Sequence, residues 1–570
     1  MFKLSLPKLP KISKLFFNNT QWLEKKQNSI LSAALVITIA NIVSSISGLI
    51  RERLLIGSYF GSQSGEKAYE AFQVAFQVPD MLFQLIVLGA LSAAFIPVFT
   101  KYKKKSEEEA FTLTASVMNI LLLVFLAVSV VVFIFAEPIT ASRTGGAFDP
   151  MQIKIAARLT QIMLVAQFFF AISNFMTGIM QSYQRFIIPA LAPIFYNLGI
   201  LLGVFLFSHQ LGIYAAGVGV VLGAFLHMAI QVPYACRIGF RFKFFSNWRH
   251  PGVKEMFKLM PLRVLTLSLT ELQNLALGFF ATSIGNLSFV VIKLALRLMA
   301  IPIRLFGVPI SQASLPFLSQ ESSDNKRDKF RSLVIESLNQ IAFLALPASV
   351  LLLILRIPIV RLVFGTHNFP WAKTVMTGRA VAIIAVSVGA QAMVQLLIRA
   401  FHALKDTMTP FFIIAATVLV YLGLSWFFVF RLGFDVTGIA WATSLVAFFE
   451  LGLFLLLLEF RVQSLFLNKE FLLEQTKIII ASFLMAVFLY LPFRIFDELV
   501  FDTSRTVELI ALTVTTSTIG LLVYIYFSVL FDIKEVDYLL SLLSKFDKWQ
   551  EPLAESEEVL IEPGTDGDDI

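Results

Sequence analysis

The chain has 570 residues, 57% hydrophobic and 15% charged, with a formal net charge of +8. A soluble domain carries about a quarter of its residues as charges, so this balance excludes an ordinary soluble protein and points to one embedded in lipid. Cys236 is the single cysteine, which excludes an intrachain disulfide and a cysteine-based metal cluster.

The chain opens on "MFKLSLPKLPKISKLFFNNTQWLEKK", with six Lys among Leu and Phe. It has no continuous apolar core and no small-residue cleavage site, so it reads as a basic segment (1–28) and not as a cleavable signal. Such a segment suits an anionic membrane surface or plain water.

A bilayer-spanning helix needs about 20 mostly apolar residues. Fourteen stretches qualify, at approximately 29–57, 71–99, 111–136, 154–182, 187–207, 212–236, 257–284, 287–318, 332–356, 374–402, 409–431, 436–459, 473–495 and 506–530. The basic loops, "KYKKKSEEE" (101–109), 237–258, 322–331, 402–407 and 459–470, all fall on the side of the N-terminus. The opposite side carries sparse loops such as "GSQSGEK" and "SIGN". Lys and Arg mark the cytoplasmic face, so both termini are expected there and the span count is expected to be even. The tail "EPLAESEEVLIEPGTDGDDI" is acidic and has the composition of a disordered segment.

Residues 181–217 and 402–438 resemble each other at a constant offset. Pro189 matches Pro410, Leu211-Gly212-Ile213 matches Leu432-Gly433-Phe434, and Gly217 matches Gly438, each 221 residues on. An offset of six helices inserts both copies the same way up, which predicts parallel repeats about an axis along the membrane normal. The expected fold is therefore an all-α integral membrane protein of fourteen transmembrane helices. It comprises an N-lobe (29–236), a basic linker (237–256), a C-lobe (257–459), a C-terminal helix pair (460–530) and an acidic cytoplasmic tail (531–570), the two six-helix lobes being related by pseudo-two-fold symmetry.

Within "KLALRLMAIPIRLFGVP" (293–309), Lys293, Arg297 and Arg304 fall within about 40° of one another on a regular helix. A cation at the centre of a membrane helix costs about 2.5–3.5 kcal/mol, so such a stripe needs a use. It forms an ion-pair seam, snorkels, or lines a wet cavity. The acids at membrane depth, Glu52, Glu70, Asp80, Glu271 and Glu450, are few against cations that also include Arg51, Arg53, Arg263 and Arg399. The expectation is a water-filled cavity with surplus positive charge, suited to a phosphorylated anion because the Arg fork binds two oxygens. Gln391, Gln395 and Arg399 make another polar face at four-residue spacing.

Four stretches carry a family resemblance: "SYQRFIIPALAPIFYN" (182–197), "RLMAIPIRLFGVPISQASLPFLS" (297–319), "RAFHALKDTMTP" (399–410) and "AFQVAFQVPD…GALSAAFIPVFTKY" (71–102). In order and spacing, from about 38 to 460, the chain resembles the MurJ (MviN) family, lipid II flippases of the multidrug/oligosaccharidyl-lipid/polysaccharide exporter superfamily. The resemblance implies fourteen helices in two lobes around a cationic central cavity, with a lipid-tail groove on the last two. The family's first-helix pattern Ser-Arg-x-x-Gly-x-x-Arg-Asp reads Ser44-Ser45-Ile46-Ser47-Gly48-Leu49-Ile50-Arg51-Glu52, so its first Arg is Ser45. Glu70 matches the family's acid before the second helix, and Arg297 its eighth-helix Arg, although the preceding Asp is Leu296. The family's second-helix Arg-Arg-x-x-x-Glu-Gly has become Phe83-Gln84-Leu85-Ile86-Val87-Leu88-Gly89. No acid falls within 409–431, so no sodium site of the family's kind is expected.

These readings predict a flippase for a polyprenyl-diphosphate-linked peptidoglycan precursor. The alternative is a flippase for another lipid-linked oligosaccharide, of O-antigen or teichoic type. The expected substrate-binding residues are Arg51, Arg53, Glu70, Lys293, Arg297, Arg304 and Arg399, with no catalytic residue, metal or cofactor. The expected partners are the lipid-linked diphosphate glycan, membrane lipids and cell-wall synthesis proteins, with no nucleic acid and a monomeric state.

Overall fold

The computed structural model describes residues 30–89, 91, 95–242, 249–322, 327–462 and 469–537. The basic segment 1–28, part of the linker (243–248) and most of the acidic tail (538–570) lie outside the described residues. Every regular element among the described residues is helical. Lipid imposes this, because each backbone N–H and C=O inside a bilayer must find its partner within the segment.

The first half contains α1 (Ile30–Tyr59), α2 (Gln63–Leu88), α3 (Ile96–Lys103), α4 (Glu107–Ile134), α5 (Ala136–Arg143), α6 (Pro150–Ser182), α7 (Ile187–Leu211) and α8 (Tyr214–Ile238). The second contains α9 (Pro251–Ile284), α10 (Ser288–Pro302), α11 (Val308–Gln320), α12 (Arg327–Ile354), α13 (Arg356–Phe364), α14 (Trp371–Ala385), α15 (Val388–Ala403), α16 (Met408–Arg431) and α17 (Val436–Val462). The pair α18 (Phe471–Val500) and α19 (Thr506–Leu530) ends the described helices. Among the described residues, 11 helices are long and apolar enough to cross a membrane, or 12 if α14 and α15, bent by 48°, form one span. The expected spans 29–57 and 287–318 are not among these. The first is the 30-residue helix α1. The second is divided into α10, a π-helical turn at Ile303–Gly307, and α11.

The sequence repeat is written into the backbone. Gln184 and Lys405 both take a left-handed conformation, at φ 58° and 60°, and lie 405 − 184 = 221 residues apart. Each follows the end of a helix, and the closing bonds match: Arg185 N–H to Met180 O and Asp406 N–H to Phe401 O, both 2.9 Å. Gly212 and Gly433, at φ 54° and 66°, make the next turns, with the same separation. A side chain at either would be strained.

Helices α7 and α8 cross at glycines. A Cβ at Gly199 would run into the Cα of Gly223, and one at Gly203 into the Cα of Gly219. Gly199-xxx-Gly203 meets Gly219-xxx-Gly223, the small-residue spacing that lets membrane helices approach closely.

The packing differs between the two ends of the molecule. At one end a single core joins both halves: Leu55 and Ile56 of α1 and Tyr69 and Phe72 of α2 pack with Phe289–Met299 of α10 and with Phe364 of α13. At the other end the cores are separate. Phe95, Phe99, Leu113 and Phe175 belong to one, and Leu318, Phe330, Leu397 and Phe454 to the other. Lys101–Lys105 marks this divided end. Helix α9 starts in the first half's core at Met256 and Met260 and ends in the joining core at Leu277 and Phe280. The pair α18–α19 docks on α12, where the Tyr524 hydroxyl donates to the Phe343 carbonyl at 2.8 Å.

Candidate functional site

The joining core surrounds one carboxylate. Glu52, on α1, is 1% exposed. Tyr69 and Gln73 are four residues apart on α2, so both face it. The Tyr69 hydroxyl donates to Glu52 Oε1, and Gln73 Nε2 donates to the same oxygen at 2.9 Å. Its other oxygen pairs with Arg51 at 3.5 Å and with Arg297 from α10. Arg297 Nη2 also donates to Gln73 Oε1 at 3.4 Å. Arg51 Nη1 donates to Asn197 Oδ1 on α7 at 3.0 Å, and Asn197 is held in turn on Ser47 at 2.8 Å. Two guanidinium groups on one carboxylate leave the cluster with one positive charge, and a third of the Arg297 side chain is still exposed.

This corrects one expectation. The sequence reading sets Arg297 in a water-filled cavity with surplus positive charge rather than in an ion-pair seam, whereas it pairs with Glu52 and the surplus is what the second guanidinium leaves over. One carboxylate oxygen meets both arginines while Tyr69 and Gln73 donate to the other, and a count of charges does not see neutral donors. Tyr69, Gln73 and Asn197 are the site residues the sequence reading missed. The four-residue spacing of Tyr69 and Gln73 in an apolar helix was their signal.

The other expected residues separate into three environments. Lys293 lies over the Phe289 ring at 5.5 Å with Asp80 and Glu271 as its acidic neighbours. Arg304 sits in the π-helical turn, is exposed, and pairs with no carboxylate among the described residues. The regular helical spacing that placed it with Lys293 and Arg297 stops one residue before it. Arg399, half-buried on α15, shares its surroundings with Arg263 and His402.

Arg53 and Glu70 belong to the joined end. Arg53 Nη1 donates to the Leu362 carbonyl of α13, tying the halves together. Beside it Asn368 Nδ2 donates to the Gly57 carbonyl at 2.8 Å, and the Phe60 and Phe369 rings meet at 5.4 Å. Glu70 is 5% exposed. Its Oε1 has no hydrogen-bond donor among the described residues, and Lys373 and Lys67 are the cations nearest in effect.

The family model "Lipid II flippase MurJ" matches residues 56–511. The chain belongs to this family. The protein from Burkholderia cenocepacia named "Lipid II flippase MurJ" is 27% identical over 390 residues, which is 67% of this chain and 75% of that one. One from Thermotoga maritima, "Probable lipid II flippase MurJ", is 28% identical over 518 residues, 90% of this chain and 99% of that one. Among solved structures, "Lipid II flippase MurJ, inward closed conformation" superposes with a TM-score of 0.70 at 24% identity, covering 87% of this chain and 98% of that one. An inward-facing MATE transporter of the MOP superfamily follows with a TM-score of 0.61 at 14% identity, over 76% of this chain and 99% of its own. The fold is thus that of the family, and that transporter shares it.

Proposed function

We propose that this protein is a lipid II flippase of the cytoplasmic membrane, moving a polyprenyl-diphosphate-linked peptidoglycan precursor by alternating access. Family membership carries this reading. The separate cores at the Lys101–Lys105 end, against one shared core at the other, fit a molecule that opens toward its basic face. In this reading that face is cytoplasmic, both termini lie on it, and α1 and the α10–α11 unit complete fourteen spans in two six-helix lobes. The chain works as a monomer alongside cell-wall synthesis proteins.

The diphosphate binds at the cationic residues of α1 and α10. Arg297 and Arg51 offer guanidinium edges that Glu52 orients, Lys293 adds charge one turn before Arg297 on α10, and Arg304 supplies charge nearer the divided end. Arg53 opens when the lobes rock, because its partner Leu362 lies on the opposite half. Moving an anion outward is favoured by a negative-inside potential at about 2.3 kcal/mol per charge per 100 mV. The sugar and peptide cross between the lobes while the tail stays in lipid against α18 and α19.

The test is rescue of a MurJ-depleted cell. Wild-type protein restores growth and Arg297→Ala does not, at equal membrane abundance. No rescue by the wild type, with a lipid-linked polysaccharide accumulating in its own host, rejects lipid II as the substrate.

A further inference from the structure

A cavity of about 310 Å³ opens at the joined end, where α13 and the start of α14 meet the end of α18 and the start of α19, and none of the Glu52 cluster lines it. Arg356, Arg361 and Arg494 line it against one carboxylate, Asp497. Arg494 is already committed to Glu498 at 2.7 Å. Arg356 spends one N–H on the Leu353 carbonyl at 2.9 Å, which leaves most of its fork free. Arg361 stacks over Trp371 at 5.7 Å. Among the described residues neither Arg356 nor Arg361 pairs with a carboxylate. Trp371 and Tyr490, 61% and 51% exposed, complete the wall.

This end is opposite Lys101–Lys105, on the face that membrane proteins keep poor in Lys and Arg. A net-positive pocket there runs against that bias. Trp and Tyr mark the depth of the lipid headgroups. Beside Arg494, Leu491 and Ile495 turn bare apolar surface outward, 65% and 43% exposed, where an acyl chain would lie. The guanidinium fork matches the paired oxygens of a phosphate, and Trp371 holds one fork over its ring in advance.

We infer that this pocket binds the phosphate of an anionic phospholipid in the leaflet opposite the basic loops. The adjoining apolar stripe of α18 selects a lipid over free phosphate, since a free ion gains nothing from it.

Full-length protein in nanodiscs of phosphatidylcholine doped with phosphatidylglycerol, read by native mass spectrometry for retained lipid, tests this. Phosphatidylglycerol should be retained preferentially, and the double variant Arg356→Gln/Arg361→Gln should weaken retention about tenfold or more. Arg361→Lys should fall between the two, because it keeps the charge and loses the fork. If the double variant does not fold, Arg361→Gln alone reads the same quantity and should still reduce retention. Equal retention by wild type and variant overturns the site. Displacement of the lipid by millimolar inorganic phosphate overturns the lipid assignment and leaves a plain anion site.

Discussion

Arg297 and Arg304 lie seven residues apart on one run of chain, and the structure treats them in opposite ways. Arg297 is drawn into a closed set of partners around a buried carboxylate. Arg304 stands exposed in a distorted turn with no carboxylate beside it among the described residues. The difference shows where the protein spends its few membrane-depth acids. A cation at the contact between halves must be neutralised to let them close, whereas Arg304, toward the divided end, is left in the open without a carboxylate among the described residues.

The comparison breaks most visibly at Glu52. Glu52→Gln keeps the shape and removes the charge, so Arg51 and Arg297 are left together without a carboxylate. Removing one partner of a buried ion pair costs about 3–5 kcal/mol, and a loss of that size should appear as a much lower unfolding midpoint in detergent micelles. Adding Arg297→Gln should recover part of the loss, because the second change removes the charge that the first one stranded. Additive losses would mean that the two side chains do not sense each other.

An uncharged lesion sets the scale. Gly203→Ala pushes a methyl group into the Cα of Gly219 at the α7–α8 crossing, within the first half and away from the charges. It should cost roughly 1–3 kcal/mol as overpacking. A double variant with Glu52→Gln should be additive within about 0.5 kcal/mol, because the sites share no partner. Arg304→Gln comes next and should leave stability within about ±0.5 kcal/mol. Its effect should appear in rescue of the depleted cell, not in unfolding. A large loss of stability there would give Arg304 a hidden partner and dissolve the contrast with Arg297.

Much of this was legible in the sequence. The apolar runs gave the helices because lipid leaves the backbone no alternative. Two turns 221 residues apart share a conformation, since Gln184 and Lys405 are both left-handed, which no pattern of hydrophobicity encodes. The charged residues of the cluster were also legible, because cations in an apolar run stand out. Their neutral partners showed only as a four-residue spacing in α2. Tyr69 and Gln73 are uncharged, and Arg297 reaches Glu52 across 245 residues of sequence. The π turn at Ile303–Gly307 was hidden too: Pro302 and Pro309 flank it, and proline is common enough in membrane helices to signal nothing more specific.

The smallest effect concerns an ion pair in the third setting, open to water outside the spans. Asp149 caps α6, accepting the Gln152 N–H at 2.8 Å, and pairs with Lys67 at the start of α2 at 2.9 Å. The Lys67 ammonium first, and the Gln152 N–H after it, hold the Asp149 carboxyl below its ordinary value. A depressed folded-state pKa adds stability that is present above the unfolded value of about 3.9 and disappears as pH falls through the lowered one. Water and salt screen this pair, so Asp149→Asn, which keeps the capping oxygen, should cost less than about 1 kcal/mol at pH 7. The gap between variant and wild type should close as the pH falls below 4, and high salt should narrow it at neutral pH. Glu52, shielded from solvent, should show almost no such salt dependence, which makes ionic strength the simplest way to tell the two kinds of ion pair apart.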